Sequence, residues 1–546
     1  MKNRAAIFII IIILLVFHGV CNYIIINKSR YCLDSNGVVY FDCINKNFQA
    51  MQNIRPDLKS FYSAYHAIFE SVCTFRPPLF FVTATPFLLF GINKNNVIMS
   101  NLIYFAILLF ATYGIGKKLY GYKAGILSAF LVSMFPAVFA LSRVLILDFA
   151  LAAMVALTFY LFTLNKFSSL SFSLLTGIVV GLGSLTKQSY FVFLFLILLY
   201  FFSQADLKNK KIIRNFIVLI ILGSLIAATY YVRLSSVDLL QLRNNMFYEK
   251  NNTSAWFYLQ GILNRQLFPV FFMLLLTSLF FCFKGKKYLL PLMILIPLII
   301  FSTSANKQDR FMLPLFPYFA VIISGFMFSL SKYRKLSVTI LVLFSLMQYF
   351  IISYGNILPI NRGFLQKFLL VPHNENVNET GLFSVVDEGD WLGPAEETLK
   401  IINGSFTNSP VNREIKILFI VQDGKIINSI YYLKTIKRLP FAFYELETNP
   451  AMVIPVEKIR KDFNSQVIQS DFIVIEKIPP DQLWSLTEYL CDSFKRNMDK
   501  FALLKGVSFP RVALEGKDKF CLADSLNEEL PERTNLYIFK NKSLKN

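Results

Sequence analysis

From residue 5 to residue 354 the chain alternates long apolar runs with short polar connectors. The runs fall at 5–26, 97–117, 123–141, 146–165, 169–186, 189–203, 212–232, 267–283, 288–304, 312–330 and 336–354. A hydrocarbon core takes roughly 20 apolar residues per spanning helix, so the pattern predicts about eleven transmembrane helices. The segment "PPLFFVTATPFLLFG" (77–91) is apolar but short and interrupted by proline, and predicts a re-entrant or interfacial helix. Before it, "DLKSFYSAYHAIFESV" (57–72) carries aromatic and apolar residues at helical spacing and predicts a helix lying in the interface plane. The opening "MKNRAAIFIIIIILLVFHGV" resembles a signal peptide but lacks a small-residue cleavage site, so it predicts an uncleaved first helix.

After about residue 355 the pattern changes to mixed charge with short apolar runs and turn residues. "EIKILFIVQ" and "SDFIVIEK" predict buried strands, and "PDQLWSLTEYLCDSFKRNM" an amphipathic helix. The expected division is a membrane domain over 1–355, including a first loop at 27–77, and a small α/β domain over 356–546.

Composition agrees with a polytopic α-helical membrane protein. The 546 residues are 55% hydrophobic and 16% charged, with mean hydropathy +0.51. The net charge of +21 does not imply a nucleic-acid partner. The basic residues cluster in "GKKLYGYK", "NKFSS", "QADLKNKKIIRN", "KGKKY" and "SKYRK", which all fall on one side of the predicted topology, as cytoplasmic loops do. Counting 77–91 as a full span would reverse all of them. The seven cysteines have no C-x-x-C spacing. Cys491 with Cys521, or a pair among Cys32, Cys43 and Cys73, could close disulfides, and free buried thiols are the equal alternative. His18 sits mid-helix and reads as a packed core residue; His66, near Glu70, reads as a surface contact.

The opposite, extracytoplasmic side carries charges that break the positive-inside trend: Asp34 and Asp42 in the first loop, Arg76 in "FRPPLF", Arg143 and Asp148 in "SRVLILD", Lys187 in "LTKQS", and Lys307, Asp309 and Arg310 in "NKQDRF". Alone, each suits an interfacial anchor with a snorkelling side chain. Together they bring acids and cations from separate connectors to one membrane surface. Such a set suits a substrate with an anionic head and an apolar tail, for which a lipid-linked phosphate is the natural candidate.

Those segments carry a family resemblance. "LDSNGVVY", "RPPLFFVTATPFLLFG", "LSRVLILDFALAAMVALTFYLF", "LTKQSYFVFLFLILLY" and "NKQDRFMLPLFPYFAVI" resemble, in order over residues 5–330, the motifs of GT-C-type glycosyltransferases. This group includes the protein O-mannosyltransferases and lipid A aminoarabinose transferases. The resemblance implies a GT-C membrane fold and inverting transfer of a sugar from a polyprenyl-phosphate carrier to an extracytoplasmic acceptor: lipid A, another surface glycan or a protein hydroxyl. It implies Asp34 as the base that deprotonates the acceptor, with Asp42 a nearby competitor because Ser35 follows Asp34 where the family often has Asp-Glu. It implies Arg76, Lys187, Lys307 and Arg310 as ligands of the leaving phosphate, and Asp148 as a second acid or structural support. Arg143 is expected to support the site by pairing with Asp148, which requires a break in the helix between them. Phe75 stands where the aminoarabinose transferases commonly have an acid, which argues for another donor sugar or acceptor.

No metal is required where cations already neutralise a phosphate, although two acids leave room for a divalent cation. Membrane lipids are the remaining expected partner. The Ile-, Asn-, Lys- and Phe-rich composition points to AT-rich coding and a bacterial inner membrane. A transporter or flippase of an anionic or lipid-linked substrate is the alternative, weakened by the lack of visible repeat halves and mid-membrane charges.

Overall fold

Apolar runs become helices where the pattern predicts them. The computed structural model describes residues 2–28, 35–52, 76–206, 208–233, 254, 256–285, 287–304, 307–330 and 333–354. In the tail it describes 392–404, 415–420, 429, 432–433, 441–445, 469–476, 500–507 and 536–542. In chain order the helices are α1 (Lys2–Lys28), α2 (Ser35–Gln52), α3 (Leu79–Ala84), α4 (Lys94–Met99), α5 (Asn101–Tyr120), α6 (Tyr122–Met134), α7 (Pro136–Leu141), α8 (Leu147–Asn165), α9 (Leu170–Ser184), α10 (Tyr190–Ser203) and α11 (Lys210–Tyr231). They continue with α12 (Phe257–Gly261), α13 (Phe268–Lys284), α14 (Leu289–Thr303), α15 (Phe316–Ser329) and α16 (Arg334–Tyr354).

Among the described residues, six helical stretches are long and apolar enough to cross a membrane: Ile9–Asn27, Lys94–Tyr120, Leu147–Leu164, Lys210–Tyr231, Asp309–Ser329 and Arg334–Tyr354. The other apolar helices are shorter. The protein is an integral membrane protein of mostly helical architecture. Residues 77–91 make a short element, α3 followed by a 3-10 turn over Thr85–Phe90 that carries Pro86 in its first turn. The interfacial helix expected at 57–72 lies outside the described residues.

Side-chain ties join helix ends. The Tyr231 hydroxyl at the close of α11 donates to the Ser184 carbonyl at the close of α9. Lys287 lies 5.1 Å over the ring of Tyr120 at the close of α5, whose hydroxyl is 3.7 Å from Cys282 Sγ. The basic connectors "GKKLYGYK" and "KGKKY" therefore share an end, as the charge pattern predicts.

Glycine permits close helix approach. A Cβ on Gly177 of α9 would lie 2.9 Å from the Leu219 carbonyl of α11, a backbone atom that cannot swing aside. Gly177→Ile is expected to force these helices apart and to destabilise the protein by about 1–3 kcal/mol. A thermal melt of the detergent-purified variant checks this; an unchanged melting temperature contradicts the close packing.

The chain divides into two compact units, Met1–Ser29 with Cys43–Asp387, and Arg30–Asp42 with Glu388–Asn546. The start of α2 belongs to the second, where Phe41 meets Tyr432 edge-on with ring centroids 5.2 Å apart. Both predicted strands form, β1 (Ile415–Ile420) and β3 (Phe472–Glu476). With β2 (Phe441–Glu445), β4 (Phe501–Val507) and β5 (Leu536–Asn541) they build a sheet of order β2-β1-β3-β5-β4. The first three strands are parallel, and β5 and β4 add antiparallel. Asp471 fixes the β1–β3 register: its carboxylate accepts from the Lys416 amide at 2.9 Å, and its own amide donates to the Lys416 carbonyl at 2.8 Å. The amphipathic helix expected near residues 480–498 lies outside the described residues, as do Cys32, Cys73, Cys491, Cys521 and His66. Cys43 is buried. His18 is buried among Phe17, Phe105 and Tyr349, as expected of a core residue.

Candidate active site

The helix break in "RVLILD" separates two charges that serve different neighbours. Pro136 opens the short α7, the chain turns at Ser142 and Arg143, and Ile146 is extended before α8 begins at Leu147. Asp148 sits in the first turn of α8, where the helix N-terminus favours a negative charge.

Asp148 is 2% exposed and held by two cations. Lys187 Nζ donates to its Oδ1 at 2.6 Å, and Arg310 Nε lies 3.5 Å from its Oδ2. The cations arrive from different elements, Lys187 from the turn between α9 and α10 and Arg310 from the 3-10 turn Asp309–Leu315 that leads into α15. Lys187 Nζ also lies 4.5 Å over the Phe311 ring. Arg76 approaches from the Pro-Pro segment. The Leu79 amide donates to the Leu185 carbonyl at 2.9 Å, tying that segment to the turn that bears Lys187. Arg76 is close enough for its charge to act on Lys187. Burial pulls the Lys187 pKa below the ordinary lysine value; Asp148 opposes this, and Arg310 and Arg76 reinforce it.

Arg143 corrects the expected pairing. The required break is present, yet Arg143 does not bond Asp148. Its Nε donates to Asn22 Oδ1 at 2.9 Å, and its Nη2 donates to the Tyr349 hydroxyl at 2.9 Å and to Ser353 Oγ at 3.0 Å. The guanidinium also stands over the rings of Phe139 and Tyr349. Among the described residues its hydrogen-bond partners are all neutral. Asn22 in turn donates to Ser142 Oγ, so Arg143 ties the α7–α8 turn to α1 and α16. Asp148 already has its cations, and the side chain five residues earlier leaves the turn toward a different pair of helices.

Lys307 and Asp309 lie just before Arg310, on the same connector but with other partners. Lys307 Nζ donates to the Ser254 carbonyl at 3.2 Å. Asp309 is gripped by Arg265, Nε to Oδ2 at 2.7 Å and Nη2 to Oδ1 at 2.9 Å. Arg265 belongs to a π turn, Ile262–Gln266, and sequence reasoning missed it. The available signal was its departure from the positive-inside trend, the same signal that marked Arg76. Asp34 lies outside the described residues. Asp42 is half-buried on α2, in the second unit. Among the described residues no group of three His, Cys, Asp or Glu side chains gathers as a metal site.

The cluster thus presents lysine and arginine around one buried carboxylate at one end of the helices. Such an arrangement can hold an anionic oxygen while Asp148 balances the cations' charge.

Comparison with known proteins agrees with this architecture. The family model for dolichyl-phosphate-mannose-protein mannosyltransferase matches residues 76–232, the stretch that contains Arg76, Arg143, Asp148 and Lys187. No curated protein matches the sequence. The fold is similar to that of ArnT from Cupriavidus metallidurans bound to undecaprenyl phosphate, with TM-score 0.59 and 11% identity over 96% of this chain and 97% of that one. It is also similar to the archaeal oligosaccharyltransferase AglB from Archaeoglobus fulgidus in complex with an inhibitory peptide and a dolichol-phosphate, with TM-score 0.55 and 9% identity over 97% of this chain and 88% of that one. The arabinofuranosyltransferase AftD from Mycobacteria matches with TM-score 0.55 and 12% identity, over 96% of this chain and 40% of that one. At such identities the likeness is one of fold: this chain has the fold of GT-C membrane glycosyltransferases, and its residues 76–232 match the mannosyltransferase family model.

Proposed function

We propose that this protein transfers a sugar from a polyprenyl-phosphate carrier to an acceptor hydroxyl on the extracytoplasmic side of the membrane. The observation that carries the reading is the junction of Lys187 and Arg310 on buried Asp148, with Arg76 close by, assembled from separate segments at one end of the helices. Support also comes from the undecaprenyl phosphate and dolichol-phosphate named with two proteins of similar fold.

In this mechanism the acceptor oxygen attacks the anomeric carbon in line, and the bond from that carbon to the carrier phosphate breaks. The electron pair leaves with the phosphate oxygen, and because the attack comes from the opposite face the configuration inverts. Arg76, Lys187 and Arg310 stabilise the charge that grows there, with Lys307 on the same connector as Arg310. A first-loop carboxylate, Asp34 or Asp42, takes the acceptor's proton. Asp148 is the anchor of the cations rather than the base, because both its oxygens already face them. The carrier tail lies among the helices, the acceptor is a glycolipid, surface glycan or protein, and the membrane is a bacterial inner membrane.

The test is transfer from radiolabelled polyprenyl-phosphate sugars in membranes that contain the protein. Asp34→Asn at normal protein level is expected to lose at least ~100-fold in kcat, with Asp42→Asn as the comparison. Full activity in Asp34→Asn removes that residue as base. Failure to transfer any lipid-linked sugar, with carrier or solute uptake into proteoliposomes instead, replaces the enzyme reading by a transporter.

The Lys187 environment adds a pH prediction. Its pKa is lowered, so it loses its proton at a lower pH than an exposed lysine. Carrier-phosphate binding is expected to weaken as pH rises into the alkaline range. Lys187→Arg, which stays protonated, flattens that part of the profile. A profile for Lys187→Arg that still falls like the unaltered chain's assigns the titration elsewhere.

A further inference from the structure

Three consecutive residues before Arg310 are tied to one stretch of chain. Lys307 donates to the Ser254 carbonyl. The Gln308 amide donates to the Tyr258 hydroxyl at 3.3 Å. Asp309 takes the two-pronged bond from Arg265, and its carbonyl accepts from Gln266 Nε2 at 2.6 Å. Gln308 then accepts from Arg310 Nε at 2.7 Å, so the side chain that reaches Asp148 is held on its near side as well.

Gly261 provides the seat for the Arg265–Asp309 pair. A Cβ there would collide with Asp309 Oδ1 and come within 3.2 Å of Arg265 Nη2. The backbone beside the pair is also unusual. Residues 262–266 form a π turn, and Phe268 adopts a φ of 64°, a region bulky side chains rarely enter. Strained backbone persists only where surrounding contacts over-determine it, and the forked ion pair supplies such contacts.

We propose that Arg265 and Asp309, seated on Gly261, are positioning residues: a strut that sets Arg310 at Asp148 and so fixes the geometry of the carrier-phosphate site. The inference rests on the carrier-phosphate reading above. The strut acts on binding, since neither partner bonds Asp148 or Lys187. Loss of either partner removes the two-pronged side-chain tie on the 307–309 connector and lets Arg310 drift from a contact that is already loose at 3.5 Å.

The test uses the detergent-purified full chain and undecaprenyl phosphate as the probe. Dissociation constants are measured for the unaltered protein, Arg265→Gln, Asp309→Asn and the double variant, with a thermal melt of each. Either single change is expected to weaken binding about tenfold, equivalent to about 1.4 kcal/mol. The double variant should be no weaker than either single, because all three lose the same contact. It also leaves no lone, partly buried charge, so it stays informative if a single variant folds poorly. Arg265→Lys should behave like Arg265→Gln, since an ammonium cannot make the fork.

Asp309→Asn that binds as tightly as the unaltered chain, or more tightly, overturns the strut, because Asp309 would then only mask Arg265. Losses that multiply in the double variant overturn it too, as independent contacts. If the unaltered chain fails to bind undecaprenyl phosphate, the carrier reading falls and the strut falls with it. Binding that is lost in Asp148→Asn but unchanged in all the strut variants overturns the strut alone.

Discussion

Asp148→Asn is expected to reduce sugar transfer at least ~100-fold, the range seen when one preorganised electrostatic contact is lost from an active site. The carboxylate is 2% exposed and is shared by Lys187 and Arg310, offsetting part of their combined charge. An amide keeps the shape and removes the charge, leaving two cations facing each other with only neutral groups between them. Breaking a buried ion pair from one side costs about 3–5 kcal/mol. The cost here is smaller, since the Lys187 and Arg310 side chains are each 20% exposed and reach solvent. The protein should therefore still assemble, with Lys187 and Arg310 displaced and carrier binding lost along with turnover. Asp148→Glu restores the charge and should recover part of the activity. Measuring kcat and KM with a lipid-phosphate sugar, beside a melt, separates the cases. Near-normal transfer by a well-folded Asp148→Asn protein would remove the carboxylate from the mechanism.

Arg143→Leu should fail in the opposite way, losing stability while sparing the site. The guanidinium makes three hydrogen bonds to Asn22, Tyr349 and Ser353 and stands over two rings. Hydrogen bonds from a charged donor contribute about 1.5–3 kcal/mol each, less when summed, since they share one group. A fall in melting temperature of roughly 3–6 °C follows for a protein of this size. Arg143→Lys should rescue little, because one ammonium cannot serve α1 and α16 at the same time. Undecaprenyl phosphate affinity of the folded fraction should stay within about twofold, since Arg143 has no bond to Asp148, Lys187 or Arg310. An unchanged melt with lost affinity would place Arg143 in the site instead.

These two residues lie five apart, and the sequence assigned them to one pair. The error has a clear physical origin. Opposite charges close together in an apolar stretch invite pairing, and the helix break that pairing needs does occur between Leu141 and Leu147. What local sequence lacks is the identity of the helices packed against each side of that break. Lys187 comes from 39 residues away and Tyr349 from 206. Arg265 was missed for the same reason: its partner Asp309 is 44 residues distant, and nothing in "LNRQLF" names it. By contrast the proline-broken segment at 77–91, the meeting of the basic connectors "GKKLYGYK" and "KGKKY" and strands β1 and β3 were all legible. Each follows from a local cause: too few apolar residues for a span, charge asymmetry across a bilayer, or apolar runs bounded by turns.

By itself, then, the chain's order of apolar and charged residues determined that this is a polytopic helical membrane protein with a small sheet in its C-terminal region. Hydrophobic transfer and charge sidedness are properties of segments, so a string of residues is enough to reveal them. Tertiary structure alone decided which cation meets which carboxylate. Asp148 holds Lys187 and Arg310, Arg143 is left to neutral partners, and Arg265 locks Asp309. An ion pair depends on ångström-scale approach between side chains far apart in sequence, and only the packing of the helices brings those side chains within reach.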